Sequence, residues 1–134
     1  MLRITNLGEF DTALKEFAKL TELSVAKVAK KTAFLVFKGV IQRTPVDTGW
    51  ARASWNFTEG TADDSVAAKP TKGAVAPAPA PPHLIDNPFP IYYITNNLKY
   101  IIPLENGHSK QMEKGYMVQR TMVAVHAELR NFKL

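Results

Sequence analysis

The chain has 134 residues, is 46% apolar, and carries a formal net charge of +5 with a pI near 9.5. With no cysteine, disulfides and thiolate metal sites are excluded, and no run approaches the roughly 18 apolar residues of a membrane-spanning helix. Met1 to Thr5 lack the charged-then-apolar layout of a secretory leader, so the expectation is a cytoplasmically made, soluble chain with no membrane partner, forming one domain over 1–134.

The first predicted element is a helix from about Glu9 to Arg43. Phe10, Leu14, Phe17 and Leu20 form an apolar stripe at helical spacing, with Lys15, Glu16 and Lys19 mostly off it. The pattern slips at Thr21 to Ser24, which marks a kink or break. Residues 33–41, AFLVFKGVI, are apolar nearly all round, so this stretch is expected to be buried on more than one side, by its own domain or by a neighbouring subunit. Pro45 ends the helix by disfavouring helical geometry at the residue before it.

In TPVDTGWARASW, Thr44 to Trp55, Asp47 and Thr48 are turn and cap formers and Gly49 is free to take positive φ. Ser54 to Thr58 alternates polar with aromatic, the period of a half-buried strand, which Gly60 ends. Residues 61–88 differ in kind. Ala, Pro, Asp and Lys dominate there, and Ala76 to Pro82 (APAPAPP) favours extended polyproline geometry. A flexible arm or hairpin-like insertion is expected, reaching a neighbouring subunit or serving no purpose at all.

Phe89 to Thr95 is a β-rich apolar run, Asn96-Asn97 a turn, and Tyr100 to Glu105 a short strand or helical turn ended by Gly107. A closing helix from about Met117 to Phe132 places Val118, Met122, Val125, Leu129 and Phe132 on one seam. The predicted class is therefore α+β: a long N-terminal helix and a C-terminal helix packed on a small antiparallel sheet, with a long Pro/Ala-rich arm inserted.

Signals for chemistry are weak. Glu105, His108 and Ser109 lie within five residues, but triad members normally converge from separated segments, and no G-x-S-x-G elbow is present. A turn whose histidine bonds a nearby backbone group is the simpler reading of His108. His83, His108 and His126 are scattered without metal-site spacing, Asp63-Asp64 reads as solvated, and no phosphate-binding glycine loop occurs. No catalytic residue, metal or cofactor is expected. Lys27, Lys30, Lys31 and Lys38 cluster on the long helix, with Lys110, Lys114, Arg120 and Arg130 in the last third. The aromatics interleave with apolar residues, not basic ones, which suggests core more than a base-stacking platform, so weak contact with DNA is expected before specific recognition.

Two motifs carry a resemblance. TPVDTGWARASW resembles the TPVDTG-x-x-R-x-S-W signature of small tail-component proteins of long-tailed bacteriophages, the minor tail, neck or tail-completion proteins. YYITNNLKYIIPLENGHSKQMEKGYM is similar to that family's I-x-N-x-x-x-Y-x-x-x-L-E-x-G-H-S-x-Q-x-x-x-G-M block. The two stand in the family's order and, with the flanking helices, cover nearly the whole chain except the arm. The chain departs from the pattern at Trp50-Ala51, where a small or polar residue and leucine are commoner, at Asn106, where an aromatic is usual, and at Met112-Glu113 in place of Ala-Pro.

The resemblance implies a structural virion protein at the head–tail junction. Its members look like α+β subunits of a homo-oligomeric ring, a hexamer, around the channel through which genomic DNA passes. Its neighbours would be neck or connector proteins and the tail-terminator or tail-tube proteins. A tail terminator capping the tube is the alternative within that class, and a small basic DNA-binding protein the alternative outside it. A ring needs heterologous contacts, for which residues 33–41 and the arm are candidates. The structural or interface residues expected are Asp47 and Thr48 (fixing the turn), Gly49 (reversing the chain), Arg52 (holding a carboxylate such as Glu105), Trp55 (anchoring sheet to helices), and Gly107 and His108 in a tight surface turn.

Overall fold

The computed structural model describes residues 2–4, 12, 15, 25–84, 90–106 and 116–131. Thr12 and Lys15 are helical, and strand β1 spans Leu2–Ile4. The rest of the predicted helix before Val25, including the kink at Thr21 to Ser24, lies outside the described residues. Helix α1 is Val25–Arg43, α2 Trp50–Ala53, β2 Trp55–Glu59, β3 Tyr92–Asn96, α3 Ile101–Glu105 and α4 Met117–Arg130. The fold is α+β, with a sheet ordered β1-β3-β2 and both pairings antiparallel.

Along α1, Val28, Thr32, Ala33, Val36, Phe37 and Val40 are buried while Lys27, Lys31 and Lys38 are exposed, so an all-apolar reading of 33–41 resolves into an inner face and a solvent edge. The inner face meets the sheet through Phe57, whose ring centroid lies 5.3 Å from those of both Phe34 and Phe37. Such aromatic contacts add about 0.5–1.5 kcal/mol each to simple burial. On another side α1 approaches α4 closely at Gly39, where a Cβ would come within 2.5 Å of the Thr121 methyl. A glycine in a helix interior costs about 1 kcal/mol relative to alanine; here it lets two helices touch.

On α4 the buried residues are Met117, Thr121, Val125 and Leu129, with Val118 and Met122 only half-buried. The predicted seam is thus rotated by about one position, and Phe132 lies outside the described residues. Hydropathy passes over Thr121 because of its hydroxyl, but that hydroxyl donates to the Met117 carbonyl at 2.6 Å and leaves the methyl for packing.

The register of β2 and β3 sorts their side chains onto two faces. Trp55, Phe57, Ile94 and Asn96 share the helix side, whereas Asn56 and Thr58 pair with Thr95 and Tyr93 on the other. Beyond β2, the Gly60 amide donates to the Ile91 carbonyl at 2.9 Å and closes the hairpin at its base. Everything from 61 to 90 is therefore an insertion into a β2–β3 hairpin. Its described part, 61–84, has no helix or strand and lies back along the domain as a strap; residues 85–88 of the predicted arm are outside the described residues. No helix among the described residues is long and apolar enough to cross a membrane.

Candidate functional site

The first signature segment forms a bend, a one-turn helix and the start of β2. Thr44 ends α1: its hydroxyl donates to the Val40 carbonyl at 2.6 Å and accepts the Trp55 indole N–H at 2.8 Å. Trp55 is only 1% exposed, so the anchor expected from the sequence is present, and its one polar atom is satisfied. The Thr48 hydroxyl accepts the Trp50 amide at 3.3 Å, and Gly49 adopts φ +78 as the residue preceding α2. Asp47 is exposed at this bend, and its charge, after burial, helps push the Tyr100 hydroxyl above its ordinary pKa.

This bend is a seat for the strap. The Ala76 amide donates to the Thr48 carbonyl at 2.7 Å, and the Ala76 carbonyl accepts from Arg52 Nη2 at 2.8 Å. Both backbone groups of one small residue are thereby held. A Cβ on Gly49 would come within 2.5 Å of the Ala76 oxygen, so glycine is required there twice over, by conformation and by contact. Arg52 Nε is buried without a partner. The expected pairing of Arg52 with Glu105 is not formed, because the strap carbonyl takes the guanidinium and Glu105 serves elsewhere.

Other strap carbonyls are held the same way. The Trp50 indole N–H donates to Ala67 at 2.7 Å, with Lys69 Nζ 5.6 Å from the ring centre and Tyr100 edge-on at 6.1 Å. On the outer sheet face, Asn56, Thr95 and Asn97 all donate to the Asp63 carbonyl, at 3.3, 2.9 and 2.9 Å. Asn56 also donates to the Ser65 carbonyl, at 2.8 Å. Lys30 reaches the Leu84 carbonyl at 3.2 Å, and the Leu84 side chain is buried. Asp63 accepts the Ser65 amide at 2.8 Å, and hydrogen bonds from Ser65, side chain before backbone, hold its carboxyl below the usual range.

The second signature segment is tied to the first and to the closing helix. Asn96, fully buried, donates to the Ala51 carbonyl at 2.9 Å and accepts the Leu98 amide at 3.1 Å, tying β3 to α2. Glu105 holds the start of α4. Its carboxylate accepts the Val118 amide at 3.0 Å and the Gln119 amide at 3.2 Å, while its carbonyl accepts the Tyr116 amide at 2.7 Å. A carboxylate at this position satisfies orphan amides and complements the positive end of the helix. It also helps hold Tyr116 at φ 61, an unusual conformation for a residue with a side chain.

No protein-family model, curated protein or solved structure matches the chain. The site is therefore characterised by its own geometry. Among the described residues no three His, Asp or Glu side chains come together as metal ligands would. Gly107, His108 and Ser109 lie outside the described residues, so their expected turn has no structural counterpart here.

Of the expected interface residues, Thr48, Gly49 and Arg52 converge on Ala76, Asp47 is exposed at the same bend, Trp55 joins α1 to the sheet, and Glu105 caps α4. Sequence reasoning missed Trp50, Asn56, Asn96 and Asn97. Trp50 stood out only as a departure from the family pattern, Asn56 read as a polar strand position, and Asn96-Asn97 read as a turn. A donor-bearing side chain beside a Pro/Ala-rich segment, whose own side chains offer few acceptors, is the signal that would have singled them out.

Proposed function

We propose that this protein is a non-enzymatic structural subunit of a tailed-bacteriophage virion, a neck or tail-completion ring component that joins the head connector to the tail. The observation that carries the reading is the use made of the two signature segments. Thr48, Arg52, Asn96 and Glu105 hold backbone groups of other segments, Gly49 leaves room for one of them, and Trp55 fills the core, so the motif residues serve architecture and surface presentation. A subunit whose surface must fit its neighbours needs its loops held in this manner, and a ring needs two different surfaces that meet. The outer side of the strap, where Val66 and Val75 are exposed, is a surface for such contacts.

A second reading, a small basic DNA-binding protein, draws on Lys27, Lys31 and Lys38, which are exposed on one side of α1. Phosphate contacts of that kind make affinity fall steeply with salt.

Imaging by negative stain with light scattering, on the protein alone and mixed with tail tubes or neck complexes, separates the two. Rings, or density at one end of a tail, are expected. A chain that ignores both and binds duplex DNA with a steep salt dependence would replace the virion reading with the nucleic-acid one. Exchanging residues 62–88 for a short turn should keep the fold, because the Gly60–Ile91 bond already closes the hairpin, yet abolish joining. Fully infectious particles from that variant would refute a role for the strap.

A further inference from the structure

We infer that residues 76–82 form a polyproline rib that docks into an aromatic-lined, acid-rimmed groove on a neighbouring neck or tail protein. The inference rests on the virion reading for the neighbour and supplies the chemistry of the contact.

Burial along the rib repeats every third residue. Ala76, Pro79 and Pro82 are half-buried, whereas Pro77, Ala78, Ala80 and Pro81 are exposed. Three residues per turn is the period of a polyproline II helix. The sequence imposes that shape locally. Each proline ring fixes its own φ, and Ala76, Ala78, Ala80 and Pro81 each precede a proline, which keeps them out of helical geometry. One edge of the rib therefore lies on the domain, and the other two face water.

Both ends of this segment are tied. At one, Thr48 and Arg52 hold the amide and carbonyl of Ala76; at the other, Lys30 reaches the Leu84 carbonyl and the Leu84 side chain is buried. Between them, among the described residues, no hydrogen bond involves Pro77 to His83. Outward proline rings together with main-chain groups left unpaired are what aromatic-lined grooves read in proline-rich chains. A groove can receive two edges of a three-edged helix, and here the third edge is the one already on the domain. The exposed pairs Pro77-Ala78 and Ala80-Pro81 stand one turn apart, about 9 Å, which sets the spacing of the slots that would take them. Because the rib is held in shape before it meets a partner, docking costs less order than it would for a free proline-rich tail.

Charge defines the rim. Residues 65–84 contain no Asp or Glu, and their two cations are Lys69 and Lys72. Lys69 sits over the Trp50 ring, whereas Lys72 is exposed in the turn that the Ala74 amide closes on the Thr71 carbonyl at 2.9 Å. That turn leads directly into the rib, so the complementary groove carries carboxylates at the end where Lys72 arrives.

Cosedimentation of the full chain with purified neck complexes and with tail tubes tests this. Ala78→Asp combined with Ala80→Asp charges the two outer edges and leaves the inner edge intact. Thr61→Asp combined with Ala68→Asp adds the same charge at exposed positions of the strap outside the rib. Circular dichroism melts check that both variants fold. The rib pair is expected to weaken attachment about ten-fold or more, because a carboxylate enters an apolar slot unpaired, and the other pair less than about two-fold. Lys72→Glu is expected to weaken it a few-fold, and less at high salt. A photoreactive benzophenone side chain in place of Ala80 should cross-link to a partner segment bearing at least two aromatic residues. Attachment unaffected by the rib pair, an equal loss from the other pair, or cross-links only to segments without aromatics would overturn the rib and leave the virion reading standing. A parent chain that joins neither particle would overturn the virion reading itself.

Discussion

The two faces of the β2–β3 hairpin are held by opposite means. On the helix side, Trp55, Phe57 and Ile94 are buried against α1, and water is excluded by apolar packing. On the strap side, Asn56, Thr95 and Asn97 donate to carbonyls of a segment that buries one large apolar side chain, Leu84, and leaves Val66 and Val75 exposed. Burying one large apolar side chain stabilises by about 1.5–3 kcal/mol, whereas one exchanged hydrogen bond contributes about 0.5–1.5 kcal/mol. The helix face thus sets global stability, and the strap face sets local order with an attachment that can open while the core stays folded.

The largest effect is expected from Trp55→Ala. It removes a buried ring and leaves the Thr44 hydroxyl without its indole donor, for a loss of about 3–5 kcal/mol. Urea denaturation measures it; a loss below about 1 kcal/mol would mean that the helix face is not where stability resides. A smaller effect follows from Gly49→Ala, which acts on both conformation and strap. Positive φ alone costs about 1–2 kcal/mol, and the new methyl displaces Ala76. Trypsin cleavage after Lys72 should accelerate under conditions in which the core remains intact. Equal cleavage rates in variant and parent would show that the notch does not restrain the strap.

The smallest effect concerns acid. Asp63 has a depressed carboxyl pKa in the folded chain through its hydrogen bonds from Ser65. Its contribution is therefore present above the ordinary aspartate value of about 3.9 and is lost as pH falls through the lower folded value. The Ser65 amide resonance should titrate with a midpoint below that ordinary value, while core resonances around Phe57 hold. A midpoint at or above it would mean that this turn of the strap is not formed in solution.

The same contrast explains how legible the chain was. The end of α1 before Pro45, the apolar spacing of the closing helix, the alternation in Ser54 to Thr58 and the freedom of Gly49 were read from local pattern, because helix and strand periods, helix stops and positive φ are properties of a few adjacent residues. The rotation of the α4 seam toward Thr121 was not, since whether a threonine packs by its methyl depends on the glycine facing it across α1. Residues 61–84 illustrate the limit most clearly. Their composition gives no apolar period and no regular backbone bonding, so nothing local says where they lie.

By itself, then, the sequence determined the α+β class, the long helix ending at Arg43, the two strands that flank the insertion and the closing helix, but neither the strand Leu2–Ile4 nor the one-turn helix Trp50–Ala53. Only the tertiary structure decided that Arg52 serves a strap carbonyl instead of Glu105, that Glu105 caps α4, and that the first signature segment forms a notch for Ala76. The physical reason is the nature of the acceptor. A main-chain carbonyl is the same group at every residue, so a side chain that reads backbone leaves no complementary letter in the sequence it binds.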